Sequence, residues 1–197
     1  MLYPIVVFVA MGTWGVLHSW LAAFSTKRLA RRIFGKALDR YYRLIFISIA
    51  LLTLMPILAM VAFMPSRLLW VIPTPWRYLT LGVQFLAMVG ILMTIFQTDL
   101  LAFAGIKQLS DPQAESKNAL IQESIYGMVR HPMYLFSLIL FWLFPFVTDL
   151  ILAFFAASTL YFLIGMIPEE KKLVEIYGEE YERYQEEVPR IIPGIKF

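Results

Sequence analysis

The sequence predicts an all-α integral membrane protein with about five transmembrane helices and a C-terminal amphipathic helix on the cytosolic side. Three observations carry that expectation. Hydrophobic residues make up 60% of the 197-residue chain and charged residues only 16%, whereas soluble domains are roughly 45–50% apolar. Apolar stretches long enough to cross about 30 Å of hydrocarbon recur along the chain. Charge is segregated: seven of the 17 basic residues (Lys27, Arg28, Arg31, Arg32, Lys36, Arg40 and Arg43) fall within 25–43, and eight of the 14 acidic ones in the last 30 positions.

Spans are expected at 3–24, 41–64, 76–98, 133–148 and 150–167. Helices are the default, because an unpaired backbone group in lipid costs several kcal/mol. The first span lacks a basic leader and an obvious small-residue cleavage site, so it reads as an anchor. The basic run 25–43 lies between two spans, where topology and anionic headgroups explain it better than nucleic acid does. The loop between spans 2 and 3 holds Arg67, with Arg77 at its edge, while 99–132 adds Lys107, Lys117 and Arg130. That asymmetry places the N-terminus outside and the tail in the cytoplasm, as for a multi-pass protein of a prokaryotic inner membrane. The last two spans are short and expected to form a tight hairpin turning at Pro145 and Thr148-Asp149. The stretch 105–124, with Ser110-Asp111-Pro112, is the one linker-like loop.

Beyond the spans, Leu173, Ile176, Tyr177, Tyr181, Tyr184 and Val188 recur at helical spacing, interrupted near Gly178 and ended by Pro189 and Pro193. This amphipathic helix fits two placements, flat on the headgroups or folded over a site as a lid. With no cysteine and two histidines, His18 and His131, disulfides and thiolate catalysis are excluded and metal ligation is poorly supplied. The expected partners are membrane lipid and a small molecule, with no metal and no nucleic acid.

Candidate chemistry gathers at the two ends of the last hairpin. Arg130-His131-Pro132 opens span 4, and Glu169-Glu170 follows Ile167-Pro168 at the end of span 5, so both return to one face. Pro132 suits the first helical turn and pushes His131 toward extended backbone. A helix start flanked by Arg130 is a natural receptor for carboxylate or phosphate. Two adjacent carboxylates at a lipid boundary call for cations, whether Arg130 or a ligand's ammonium or sulfonium. His18 in span 1 and Gln97-Thr98-Asp99 at the end of span 3 are further polar groups at the same expected depth.

Tyr126-Gly127, Arg130-His131-Pro132-Met133-Tyr134, Glu169-Glu170, Tyr177-Gly178-Glu179-Glu180-Tyr181, Tyr184 and Val188-Pro189-Arg190 with Pro193 closely resemble the isoprenylcysteine carboxyl methyltransferase and phospholipid methyltransferase superfamily. The resemblance implies a single membrane methyltransferase domain over 1–197, with a three-helix part at 1–98 and a cofactor-binding hairpin and tail at 120–197. It implies S-adenosylmethionine held by Tyr126, Gly127, Arg130, His131, Pro132, Tyr134, Glu169 and Glu170, with Arg130, Glu169, Glu170 and His18 as candidate catalytic residues. In that assignment Arg130 and His131 grip the cofactor carboxylate, a glutamate takes the ammonium, and Tyr126 and Tyr134 wall the adenosine. The implied acceptor is lipophilic, such as an isoprenylcysteine carboxylate; a small thiol, a phospholipid amine or a non-enzymatic regulator on the same scaffold are the alternatives. Trp14-Gly15-Val16-Leu17-His18-Ser19 with Ala22, and Tyr41-Tyr42-Arg43-Leu44, are similar to methanethiol S-methyltransferases and denitrification-associated membrane proteins, which favours the small thiol. Two positions depart from the superfamily pattern: Ser124 stands where glycine is usual, and Phe136 where a small residue is common.

Overall fold

The computed structural model describes residues 2–111 and 119–196; Pro112 of the linker and Lys117 of the charge argument lie outside the described residues. Among the described residues eight α-helices and two short strands follow in the order α1 (Leu2–Ala22), α2 (Phe24–Phe34), α3 (Leu38–Phe63), β1 (Leu68–Val71), α4 (Trp76–Gln97), α5 (Leu100–Phe103), α6 (Pro132–Trp142), β2 (Phe146–Thr148), α7 (Asp149–Tyr177) and α8 (Glu179–Glu187). Among the described residues α1, α3, α4 and α7 are long and apolar enough to cross a membrane, and α6 is a shorter apolar helix.

The chain forms two compact units that interleave in sequence. The first comprises Met1–Ser66, Asp99–Ala119 and Leu150–Ser158, and the second Arg67–Thr98, Leu120–Asp149 and Thr159–Phe197. In the first unit α1 and α3 run antiparallel. The Trp14 indole donates to the Ala50 carbonyl at 3.1 Å, and the Tyr42 hydroxyl donates to the Leu21 carbonyl at 2.7 Å. Met11, Ile57 and Ala157 form the buried core, with Trp14, Leu54 and Phe154 around them. Helix α2, absent from the sequence expectation, occupies the basic run between the two spans. Its charged composition hid it from a hydropathy reading, but the amphipathic pattern is present in the residues.

In the second unit α4 packs along α6 through its small residues. Ala87, Gly90 and Thr94 are the buried positions of α4, a spacing that brings helix backbones close in the absence of water. The Phe136 ring lies against Gly90, so a β-carbon there would stand 2.5–2.8 Å from three ring atoms. Gln84 Nε2 donates to the Leu140 carbonyl at 2.8 Å further along the same seam. Phe136 is two residues from Tyr134, about 200° around the helix. The bulky ring therefore fills the α4 seam on the face away from Tyr134.

Two expectations about the final hairpin are corrected. Span 4 is not a helix to 148: α6 ends at Trp142, and 146–148 pair antiparallel with β1, Trp70 opposite Val147 and Val71 opposite Phe146. Pro145 disfavours helical backbone at Phe144, and its carbonyl accepts from Ile72 N–H at 2.8 Å. Nor does α7 stop at Ile167. It continues through Pro168 to Tyr177, a length of about 43 Å that exceeds the hydrocarbon thickness of about 30 Å. Glu169-Glu170 thus sit within a helix that outruns the apolar layer.

Gly90→Ala should cost about 1–3 kcal/mol through overpacking against Phe136. Thermal unfolding in detergent checks it: Gly90→Ala lowers the midpoint, and Phe136→Leu in the same chain recovers part of the loss.

Candidate active site

The site is built from three segments of the second unit: the turn before α6, the end of α7, and the tail. Residues Ser124–Gly127 form a 3₁₀ turn, entered at Ser124 with φ +58°. Left-handed backbone favours glycine, the residue usual at this position in the resembled superfamily. The turn leads to Pro132 at the start of α6, with His131 as the residue before the helix. Backbone pairing then fastens the tail beside it. Arg130 N–H donates to the Pro189 carbonyl at 2.9 Å and His131 N–H to the Arg190 carbonyl at 3.0 Å.

The end of α7 points two adjacent carboxylates into different surroundings. Glu170 has a side chain only 5% exposed, and Arg130 beside it is equally buried. One Glu170 oxygen accepts from Arg130 Nε at 2.8 Å and lies 3.1 Å from His131 Nε2. The other accepts from Arg190 Nη2 at 2.7 Å, Arg190 Nε at 3.1 Å and Gln185 Nε2 at 3.2 Å. Arg130 Nη1 in turn donates to the Gln185 and Val188 carbonyls. Burying a carboxylate is offset only by such complete pairing.

Glu169 faces the other way. Its side chain is 44% exposed, and its Oε2 accepts from the Tyr134 hydroxyl at 2.6 Å. His131 bridges the pair, with Nδ1 3.8 Å from Glu169 and Nε2 3.1 Å from Glu170. Tyr134 is held in a column of near-parallel rings: His131 at 5.4 Å on one side, Phe162 at 4.8 Å on the other, and Phe141 6.1 Å beyond Phe162. Such offset stacks each contribute about 0.5–1.5 kcal/mol beyond burial. Here they fix the hydroxyl that orients Glu169.

Helix α8 closes over this turn. Tyr181, Tyr184 and Val188 pack on Leu120, Leu173, Val174 and Tyr177, and the Tyr184 hydroxyl donates to the Tyr126 carbonyl at 2.6 Å. Tyr181, Tyr184 and Val188 of the amphipathic stripe are therefore covered by protein, whereas Ile176 is 46% exposed. Gly178, at φ +58°, makes the break between α7 and α8. Burial, and then the charge of Glu169, pushes the Tyr126 hydroxyl up to about 12.

The structure thus gathers Tyr126, Gly127, Arg130, His131, Pro132, Tyr134, Glu169 and Glu170 in one unit. His18 belongs to the other unit, its imidazole between the Trp14 and Phe46 rings at 4.8 Å each. Asp99 is occupied locally: it caps α5 through the Ala102 N–H and pairs with Lys107 at 2.6 Å. Arg130 Nε and Nη1 are bonded within the protein. Arg190 and Gln185 were not among the expected site residues. Arg190 stood in the resembled tail motif, but only the return of the tail to the α6 start reveals its partner.

A family model described as phospholipid methyltransferase matches residues 79–180, which include every predicted site residue except His18. The chain belongs to the phospholipid methyltransferase family. It is 32% identical to a methanethiol S-methyltransferase of Pseudomonas deceptionensis over 92% of this chain and 69% of that protein. It is 29% identical to one of Crocosphaera subtropica over 94% of this chain and 72% of that protein. Similarity to a protein-S-isoprenylcysteine O-methyltransferase of Schizosaccharomyces pombe, 32% identical, spans 39% of this chain and 34% of that protein. No solved structure matches the chain. The protein is thus a membrane methyltransferase of this family.

Three outcomes are expected. Glu170→Ala leaves Arg130 buried without its carboxylate and costs about 3–5 kcal/mol, whereas Glu169→Ala costs under about 1 kcal/mol; thermal unfolding in detergent separates them. Ser124→Gly relieves a left-handed residue and stabilises by about 1 kcal/mol in the same assay. Tyr126 has a folded pKa raised above its ordinary value of about 10, so its contribution is complete below that pH and is lost as pH rises through about 12. The alkaline arm of the stability curve, followed by near-ultraviolet circular dichroism, should be shallower in Tyr126→Phe.

Proposed function

We propose that this chain is an S-adenosylmethionine-dependent S-methyltransferase of a small thiol. The observation that carries the reading is the reach of the similarity. It extends over 92% of the chain, N-terminal half included, for a methanethiol S-methyltransferase, and over only 39% for the isoprenylcysteine enzyme. Packing beside α6 supports it. The seam toward α4 is filled by Phe136 on Gly90 and closed by Gln84, and the seam toward α7 by Phe162, Phe141 and the Trp142–Thr159 hydrogen bond. A prenyl or acyl acceptor needs an apolar groove of chain length, which a small thiol does not.

The donor set fits the cofactor's chemistry. Glu169 is the exposed carboxylate of the pair and is not consumed by the protein's own arginines, so it is the group to meet an ammonium or sulfonium. Tyr134 holds Glu169 in place through its hydroxyl, and the Tyr126 ring is the one to offer a face to the cation or the adenosine. Arg190, partly exposed at 29%, is the cation with surface left for a carboxylate. Arg130, His131 and Glu170 are positioning residues that hold α6, α7 and the tail in register. When bound, the cofactor would supply an electrophilic methyl group on its sulfonium sulfur, for in-line transfer to the thiolate with S-adenosylhomocysteine as the leaving group. The protein's contribution is alignment and electrostatics.

Calorimetry in nanodiscs with S-adenosylmethionine and S-adenosylhomocysteine tests the cofactor. Micromolar binding is expected for the wild type, weakened at least about tenfold in Glu169→Ala at unchanged unfolding temperature. Radiolabelled methyl transfer tests the acceptor, with methanethiol expected to outpace a prenylated cysteine. A folded wild type that binds neither cofactor moves the protein to the non-enzymatic reading. Faster transfer to the prenylated cysteine restores the lipophilic acceptor.

A further inference from the structure

Helix α2 carries a surface that the methyl-transfer chemistry does not use. It begins one residue after α1 and ends three residues before α3 starts at Leu38, and both neighbours are long apolar helices. An 11-residue helix joining the adjacent ends of two antiparallel spans lies at the membrane surface. Thr26 is buried, and its hydroxyl donates to the Trp20 carbonyl. This bond folds α2 back against the end of α1 and fixes its rotation.

With that rotation set, 100° per residue divides the remaining positions. Leu29 and Ile33, four residues apart, share one side and are 50% and 65% exposed; Phe34 at the helix end is 70% exposed. Lys27, Arg28, Arg31 and Arg32 occupy the opposite side, and Lys36 and Arg40 continue the charge into α3. Asp39, the one acidic residue between 25 and 43, pairs with Arg31 at 3.3 Å. Apolar side chains held open beside a band of cations make the surface of a helix that lies in the boundary between headgroups and acyl chains.

We infer that α2 is an interfacial helix that seats on anionic phospholipid headgroups of the leaflet where α1 ends and α3 begins. Leu29 and Ile33 enter the acyl boundary while Arg28 and Arg32 meet the phosphates. A zwitterionic surface satisfies the apolar side but offers Arg28 and Arg32 no net counter-charge. A basic residue near an anionic surface contributes about 1 kcal/mol, equivalent to about fivefold in lipid preference per charge.

The absence of cysteine allows one label to be placed. Ile33→Cys carrying an environment-sensitive fluorophore is reconstituted, in the full chain, in vesicles of phosphatidylcholine with and without phosphatidylglycerol. Quenching is compared for aqueous iodide and for spin labels high in the acyl chain. The label is expected to be shielded from iodide and reached by the lipid quencher. In nanodiscs of equimolar composition, phosphatidylglycerol retained with the protein should exceed phosphatidylcholine at least about fivefold. Arg28→Gln with Arg32→Gln should bring that ratio toward one, while Arg67→Gln, outside α2, leaves it unchanged. A label at position 33 as open to iodide as free dye overturns the proposal and points to a protein partner or to no partner. So does a lipid ratio that the double variant does not move.

Discussion

The candidate site depends on one buried carboxylate. Glu170 is placed by a long helix, and its two oxygens collect Arg130 from the turn before α6 and Arg190 and Gln185 from the tail. Three stretches of chain separated by tens of residues are thereby locked at one point. Because a charge in a dry place is tolerated only when fully paired, the network forms as a unit. Everything nearby follows from that closure. The backbone bonds of 130–131 to 189–190, the packing of α8 on α7, and the Tyr184 bond to the 3₁₀ turn all need the tail to be brought back.

The neighbouring glutamate shows how one helical step changes a residue's work. Glu169 and Glu170 lie about 100° apart on α7, so one carboxylate enters the ion network and the other is exposed beside Tyr134. His131 touches both and transmits the fixed position of the first to the second. The stacked column from His131 through Tyr134 to Phe162 adds rigidity. A pair that looks redundant in sequence thus separates into a buried anchor and an exposed carboxylate.

The membrane setting explains the rest of the second unit. Hydrocarbon gives helices no hydrophobic reason to associate, so close approach has to come from shape. Ala87, Gly90 and Thr94 supply it on α4, and Phe136 on α6 fills what they leave. Where helical pairing fails after Trp142, the strand pair β1–β2 takes up the backbone groups. The long α7 carries the glutamates to the end of the apolar layer, where Glu169 is exposed and Glu170 is buried in its ion network.

The sequence by itself determined the membrane class, the long spans, the break at Gly178, and the residues that meet at the end of the last hairpin. Those features are local: apolar run length, helical periodicity and a few charged residues in apolar surroundings are readable without a partner. Helix α2 is equally present in the residues but hidden from a hydropathy window, which averages its two faces. Only the tertiary structure decided that Arg130 is bonded within the protein and that Arg190 completes its network. It also decided that Ser124 holds a left-handed turn and that Phe136 faces away from Tyr134. Each of these depends on which carboxylate, backbone or helix face a side chain meets across space, and sequence spacing does not encode the return path of the tail.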